Sequence, residues 1–236
     1  METKIKLIFL SIILTWIISC KKDNSTILNI KQMLDLSEYK LSQTIINDSV
    51  VEYTGENEKF SIKGKYNKKQ NHKIGWWNIY NKEEKEMFSK IQIFVEDGKE
   101  RNNQILMYNH NKIDTSKSKF YTTDFEYQEN RVYKIKYNFF TPKSTFKTKN
   151  VDLFYDIFTD ENNSVTKKIS IKVKNNSHHY CEIDLSKYYH KKNIFIGGLF
   201  AEYSYGNKTD EMGINEIFIE DSIKIPRSRT IVSCSR

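Results

Sequence analysis

The residues of this chain whose types and spacing could do chemistry fall on a few short stretches. His178, His179 and Cys181, with His190 further on, are the main grouping of metal-ligating types. Neighbours on a strand point to opposite faces, so His179 and Cys181 could meet one ion while His178 points away. A zinc site needs three or four ligands, and no third or fourth is evident here. As nucleophile and base, the same two residues are placed too rigidly along one strand to make a convincing dyad. Asp152/Asp156 and Glu182/Asp184 are carboxylate pairs at even spacing, each pair on one strand face, as glycosidase acids would be. Alternating charge on a solvated face gives the same pattern. Asp160-Glu161-Asn162-Asn163-Ser164 is oxygen-rich but lacks the spaced carboxylates and final glutamate of a calcium loop. The chain has no nucleophile elbow, P-loop or dinucleotide-binding glycine pattern. These readings point to a protein that is not an enzyme and carries no metal or cofactor.

Trp76-Trp77 is the feature that points to binding. On a strand one tryptophan faces the core and the other faces out. An outward Trp76 beside Tyr66 and Tyr80 could stack on sugar rings or anchor a protein partner, with Trp77 on the packed side.

The N-terminus carries an address. Lys4 and Lys6 precede an apolar run from Leu7 to Ser19, followed at once by Cys20 and Lys21-Lys22-Asp23-Asn24. The run suits a secretory h-region and is too short for the roughly 20 residues that span a bilayer. A small residue followed by cysteine at its end resembles a bacterial lipobox, which implies cleavage before Cys20 and acylation of that residue. The membrane is then a partner through the lipid on Cys20, and several acyl chains anchor stably where one does not. The start Cys20-Lys21-Lys22-Asp23-Asn24 resembles lipoproteins of Bacteroidota. Lys21 stands where inner-membrane retention would use an aspartate, so the expected location is the cell envelope, at the outer membrane.

Composition supports a folded, non-nucleic-acid-binding body. The net charge is +8, but lysines are spread evenly, and the arginines are only Arg101, Arg131, Arg227, Arg229 and Arg236. That reads as a solvated surface with weak attraction to anionic envelope polymers, not as a nucleic-acid patch. Fifteen Tyr and 14 Phe argue for real cores. Cys181 and Cys234 remain after acylation of Cys20. A bond between them would contribute about 4 kcal/mol in the chain-entropy view, yet Cys234 sits in a polar tail and two free thiols are expected.

The elements that must position these groups are strands. Phe60, Ile62, Gly64 and Tyr66 alternate with polar residues, and Ile74 to Tyr80, Phe88 to Val95 and Gln104 to Tyr108 follow, separated by polar turns. Asp97-Gly98 and His110-Asn111 supply the positive φ angles of hairpins. Gly64-x-Tyr66, then Gly75-x-Trp77 with Tyr80 shortly after, is similar to a MORN-type repeat. The resemblance covers about 60 residues and implies an antiparallel ribbon in which glycines admit close packing of aromatics.

Further on, Tyr133, Ile135, Tyr137 and Phe139 alternate with polar residues. So do Val151 to Ile157, Ile169 to Val173, and His179, Cys181, Ile183 and Leu185. Ile194 to Tyr205 and Ile214 to Ile219 complete a set without an intervening amphipathic helix, which argues for a β-sandwich, immunoglobulin-like or jelly-roll. The layout resembles lipoproteins of Flavobacteriia ending in such a sandwich. The expected organisation is therefore all-β: signal peptide 1–19, tether 20–50, MORN-like hairpin region 51–113, sandwich 114–225 and tail 226–236. The expected role is a lipid-anchored, non-catalytic binding or structural module of the envelope, with a protein or envelope polymer as partner. A carbohydrate-binding or degenerate hydrolase module is the alternative. The repeat resemblance implies a third, an immunity or antitoxin-like periplasmic lipoprotein.

Overall fold

The structure is a computed structural model that describes residues 30–129, 131–144, 147–159, 167–173, 177–188, 191, 193–206 and 212–224. Cys20, Asp160 to Ser164, His190 and Cys234 lie outside the described residues. The chain divides into two compact units, Met1–Tyr39 and Lys40–Arg236. In the first, the described residues form a one-turn helix α1 (Ile30–Met33) and a 3-10 turn (Leu36–Glu38). Asp35 caps that turn, its Oδ1 accepting the Ser37 N–H at 3.1 Å and the Ser37 hydroxyl at 2.7 Å. The Tyr39 hydroxyl donates to the Met33 carbonyl at 2.8 Å. Among the described residues no helix is long and apolar enough to cross a membrane.

The second unit is all-β and antiparallel. Its first part is a meander in which each strand pairs with the next: β1 (Lys40–Ile45), β2 (Val50–Glu56), β3 (Phe60–Asn67), β4 (His72–Asn81), β5 (Met87–Glu96), β6 (Lys99–Asn109) and β7 (Lys112–Ile113). The sheet thus starts at Lys40, inside the segment expected to be a tether over 20–50. Leu41 is a strand residue. The reason is local chemistry: Asn47 Oδ1 accepts from Ser49 N and Val50 N, both at 2.9 Å, closing a turn that folds Lys40–Ile45 onto β2.

The same device recurs along the meander. Asn57 receives Lys59 N and Phe60 N, Asn67 receives Lys69 N and Gln70 N, and Asn81 receives Glu83 N and Glu84 N. Where a left-handed residue is needed the chain uses Asp97-Gly98 and His110-Asn111, all four at positive φ, and Lys85 at φ 54. Asparagine tolerates this region and bonds its own backbone, so a glycine-poor chain still turns tightly.

The second part consists of two sheets around one core. β8 (Phe120–Gln128), β9 (Arg131–Phe140) and β12 (His178–Asp184) form a sheet of order β12-β9-β8. β10 (Lys147–Thr159), β11 (Lys167–Ser170), β13 (Asn193–Tyr205) and β14 (Met212–Lys224) form another of order β11-β10-β13-β14. Alternation puts Ile135, Tyr137 and Phe139 of β9 against Leu153 and Ile157 of β10 and Phe200 of β13 in a single apolar cluster. Phe139 and Phe200 stack with centroids 4.1 Å apart.

A polar seam joins the two parts. At the β5–β6 bulge, Gln92 Oε1 accepts from Asn103 Nδ2 at 3.0 Å and Gln104 Nε2 at 2.9 Å. Asn103 also closes two bonds with the β14 backbone: Nδ2 to the Phe218 carbonyl at 2.9 Å and Phe218 N–H to Oδ1 at 2.7 Å. Its carboxamide takes the place of a neighbouring strand's peptide. Gln104 Oε1 accepts the Tyr121 N–H of β8, and Phe94 packs on Phe218 with centroids 4.5 Å apart.

Candidate functional site

Register decides which side chains of the meander act together, because directly opposed residues share a face. Ser42, Thr54, Lys63 and Asn78 form one cross-strand row over β1–β4, and Lys40, Glu56, Ser61 and Tyr80 form the next. A groove of about 630 Å³ lies over these rows, lined by Ser42, Thr54, Ser61, Lys63, Tyr80 and Lys82 among others. Its rim is charged: Lys63 Nζ meets Glu52 at 3.1 Å and Lys82 Nζ meets Glu56 at 3.0 Å. Ser42 Oγ lies 2.7 Å from Thr54 Oγ1, so these two hydroxyls of the first row are hydrogen-bonded to each other.

The four aromatics singled out by sequence divide between the two faces. Trp76 is half-buried on the groove's face, opposite Gln92, with Lys90 Nζ 4.8 Å from its ring centroid; Tyr80 follows on the same strand and face. Trp77 is fully buried on the other side. Its ring lies flat on Gly64, where any Cβ would fall inside it, and this contact coincides with the register shift on β3–β4. Tyr66 shares that second face: its ring meets Tyr53 edge-on at 5.5 Å and its hydroxyl donates to Asn71 Oδ1 at 2.6 Å. Tyr66 is therefore not beside an outward Trp76, as the sequence suggested. From Gly64 to Tyr66 is an even step, which keeps the phenol on the face that receives Trp77.

The remaining candidates have structural partners. His179 and Cys181 face inward on β12, while His178 faces out and stacks on Phe140 at 4.5 Å. His179 Nε2 lies 3.2 Å from Glu202 Oε1, and both side chains are almost wholly buried. The Thr148 hydroxyl donates to Glu202 Oε1 at 2.7 Å and Asn215 Nδ2 to Oε2 at 3.0 Å. Burial alone would raise the Glu202 carboxyl, but the bonds from His179, Thr148 and Asn215 outweigh it and hold the group below its ordinary value.

Cys181 is a free, buried thiol pushed up to about 12 by burial and the neighbouring Glu182 charge, the opposite of an activated nucleophile. Among the described residues no group of three or more His, Cys, Asp and Glu could hold a metal ion. Asp152 Oδ1 accepts from Ser170 Oγ at 2.8 Å and Oδ2 meets Lys168 at 3.1 Å. Glu182 pairs with Lys134 at 3.1 Å, and Asp184 receives Ser186 N at 2.8 Å, the bond that chiefly holds its carboxyl low. Asp152, Glu182 and Asp184 thus sit in ordinary strand and turn contacts, whereas Asp156 Oδ1 is buried without a hydrogen-bond partner among the described residues.

Sequence reasoning did not single out Ser42, Thr54, Ser61, Lys63 and Lys82, because serine, threonine and lysine on a strand read as solvated surface. Glu202 did leave a signal: it occupies a core-parity position between Phe200 and Ser204, where an unpartnered carboxylate would be very costly. No protein-family model matches the chain, and no curated protein matches it.

Proposed function

We propose that this protein is a lipid-anchored, non-catalytic module of a bacterial cell envelope that binds a hydroxyl-rich envelope polymer, a glycan, in the groove across β1–β4. The address rests on the N-terminal pattern from Lys4 to Cys20, which suits export, cleavage before Cys20 and acylation there, with the outer membrane as destination. The binding reading rests on one observation: two adjacent cross-strand rows place the hydroxyls of Ser42, Thr54 and Ser61, the ammonium of Lys63 and the Tyr80 ring along one groove. A sugar ring has an apolar face for the phenol to cover and hydroxyls for the serines, threonine and lysine to bond. The groove's volume falls within the roughly 300–1,000 Å³ of ligand sites in general. In favour of a non-catalytic role, Asp152, Glu182, Asp184 and His179 are each held by neighbours that serve the fold, and the Cys181 thiol is buried.

Two finer architectural readings accompany this. Among the described residues, seven strands split three and four, with β12-β9-β8 facing β11-β10-β13-β14, favour an immunoglobulin-like over a jelly-roll arrangement, which uses eight. The Trp77 ring on Gly64 supports the MORN-like reading of β3 and β4.

The test is a glycan array probed with the full chain in detergent, alongside Tyr80→Ala and Tyr66→Ala. Tyr80→Ala should lose about tenfold or more in affinity, the removal of one stacking surface, while Tyr66→Ala on the other face binds like the parent. A parent chain that retains no glycan above the Tyr80→Ala background overturns the reading. Separately, Cys20→Ser should lose both fatty-acid labelling and the membrane fraction.

A further inference from the structure

The edges of the sheets are treated unequally. β7 is two residues long and β11 four, lengths too short to template another strand. The β14 edge is met at Phe218 by the Asn103 carboxamide. β8 and β12 are edges too, each with buried side chains along it, whereas all six residues of β1 are exposed, with Leu41 at 37% and Ile45 at 72% relative accessibility. β1 is the first strand of the meander and has β2 as its only strand neighbour among the described residues.

Hydrogen-bond parity fixes which groups of β1 are open. Ile46 N–H donates inward to the Val50 carbonyl at 3.0 Å. Peptides alternate in direction along an antiparallel strand, so Ser42 and Thr44 also point to β2, and Leu41, Gln43 and Ile45 turn their N–H and C=O outward. The side chains of these same three residues share the sheet face that carries Val51, Ile62 and Ile79.

We propose that β1 pairs antiparallel with β1 of a second copy of this chain, joining two meanders into one continuous sheet about a two-fold axis. A two-fold normal to the sheet leaves each residue on its own face, so opposed residues must have equal parity. The register that uses all three outward residues sets Gln43 against Gln43 of the partner and Leu41 against Ile45 of the partner, twice. It satisfies every outward peptide group of Leu41, Gln43 and Ile45 and covers both exposed aliphatics. Ser42 then opposes Thr44, so no like charges are forced together. A six-residue edge buries less than the roughly 1,200–2,000 Å² of a standard interface, so the dimer is weak and concentration-dependent.

The experiment uses the full chain in detergent or membranes, with three variants. Opposed residues in a hydrogen-bonded pair have Cα atoms about 5.5 Å apart, within disulfide range. Gln43→Cys under mild oxidation should therefore yield covalent homodimer several-fold above the parent chain and above Glu58→Cys, an exposed residue in the β2–β3 turn. Gln43→Pro removes one outward donor but no bond to β2 and should lower the dimer fraction in sedimentation several-fold at an unchanged melting temperature. The proposal is overturned if the parent is monomeric at all concentrations, if Gln43→Cys dimerises no more than Glu58→Cys, or if it cross-links a different polypeptide instead. Should Gln43→Pro not fold, the cysteine comparison still decides.

Discussion

The meander and the two-sheet body solve the same problem of antiparallel pairing by different means. In the meander every strand pairs with its neighbour in sequence, and register is set by turns whose asparagines bond their own backbone. In the body the central pairs β9–β12 and β10–β13 join strands far apart in the chain, and register is set by what meets in the core. The first kind of order needs only short loops to close; the second must close long ones before any contact rewards it. One region has its register set by local turns, with Trp77 packed over Gly64, and the other by the packing of Phe139, Phe200 and their neighbours and by a buried carboxylate.

That contrast can be broken from either side. The largest effect expected is at Trp77: Trp77→Ala empties the packing over Gly64 and should cost about 3–5 kcal/mol. Hydrogen exchange should rise first in β2–β5 and only later in β9–β13. Next comes His179→Ala, which leaves Glu202 buried without its main partner at a cost of about 3 kcal/mol, with exchange rising first in β12 and β13.

The same group gives a pH signature. Because the folded Glu202 carboxyl lies below its ordinary value, its contribution is complete above pH about 4.5 and is lost as pH falls through the lower folded value. Acid titration of stability should therefore be shallower in Glu202→Gln than in the parent over that range. A smaller change, about 1–3 kcal/mol, is expected for Asn103→Ala, which strips two partners from the Phe218 peptide groups. It should sharpen the contrast by separating the melting of the two regions. The smallest is Lys85→Gly, a gain of about 0.5 kcal/mol from relieving a left-handed lysine, seen as a slight rise in Tm confined to the β4–β5 hairpin.

Legibility in the sequence followed the same division. Phe60–Tyr66, the twin tryptophans and the turns at Asp97-Gly98 and His110-Asn111 could be read because alternation and turn chemistry are local. Trp77 as the inward member of its pair followed from the resemblance to a MORN-type repeat, in which that position packs. Lys40–Ile45 escaped because its weak alternation, Leu41 and Ile45 around Gln43, resembles a solvated linker until Asn47 is seen to turn it back. The groove escaped because its rows exist only across four strands: Ser42, Thr54, Lys63 and Asn78 are adjacent through register, which no single segment reveals. Tyr66 was placed on the wrong side because contiguity in a motif was taken for contiguity on a face. Glu202 with Thr148 and Asn215 could be sensed as an oddity, but its partners come from strands that local pattern does not connect.

Asn103 also makes the molecule's working life a chemical question. Spontaneous hydrolysis of that one amide to aspartate would swap a donor for a charged oxygen facing both the Phe218 carbonyl and Gln92 Oε1. Attraction would become repulsion at the joint between the two regions. Ageing alone, with no protease or mutation, would then loosen the protein at a single bond.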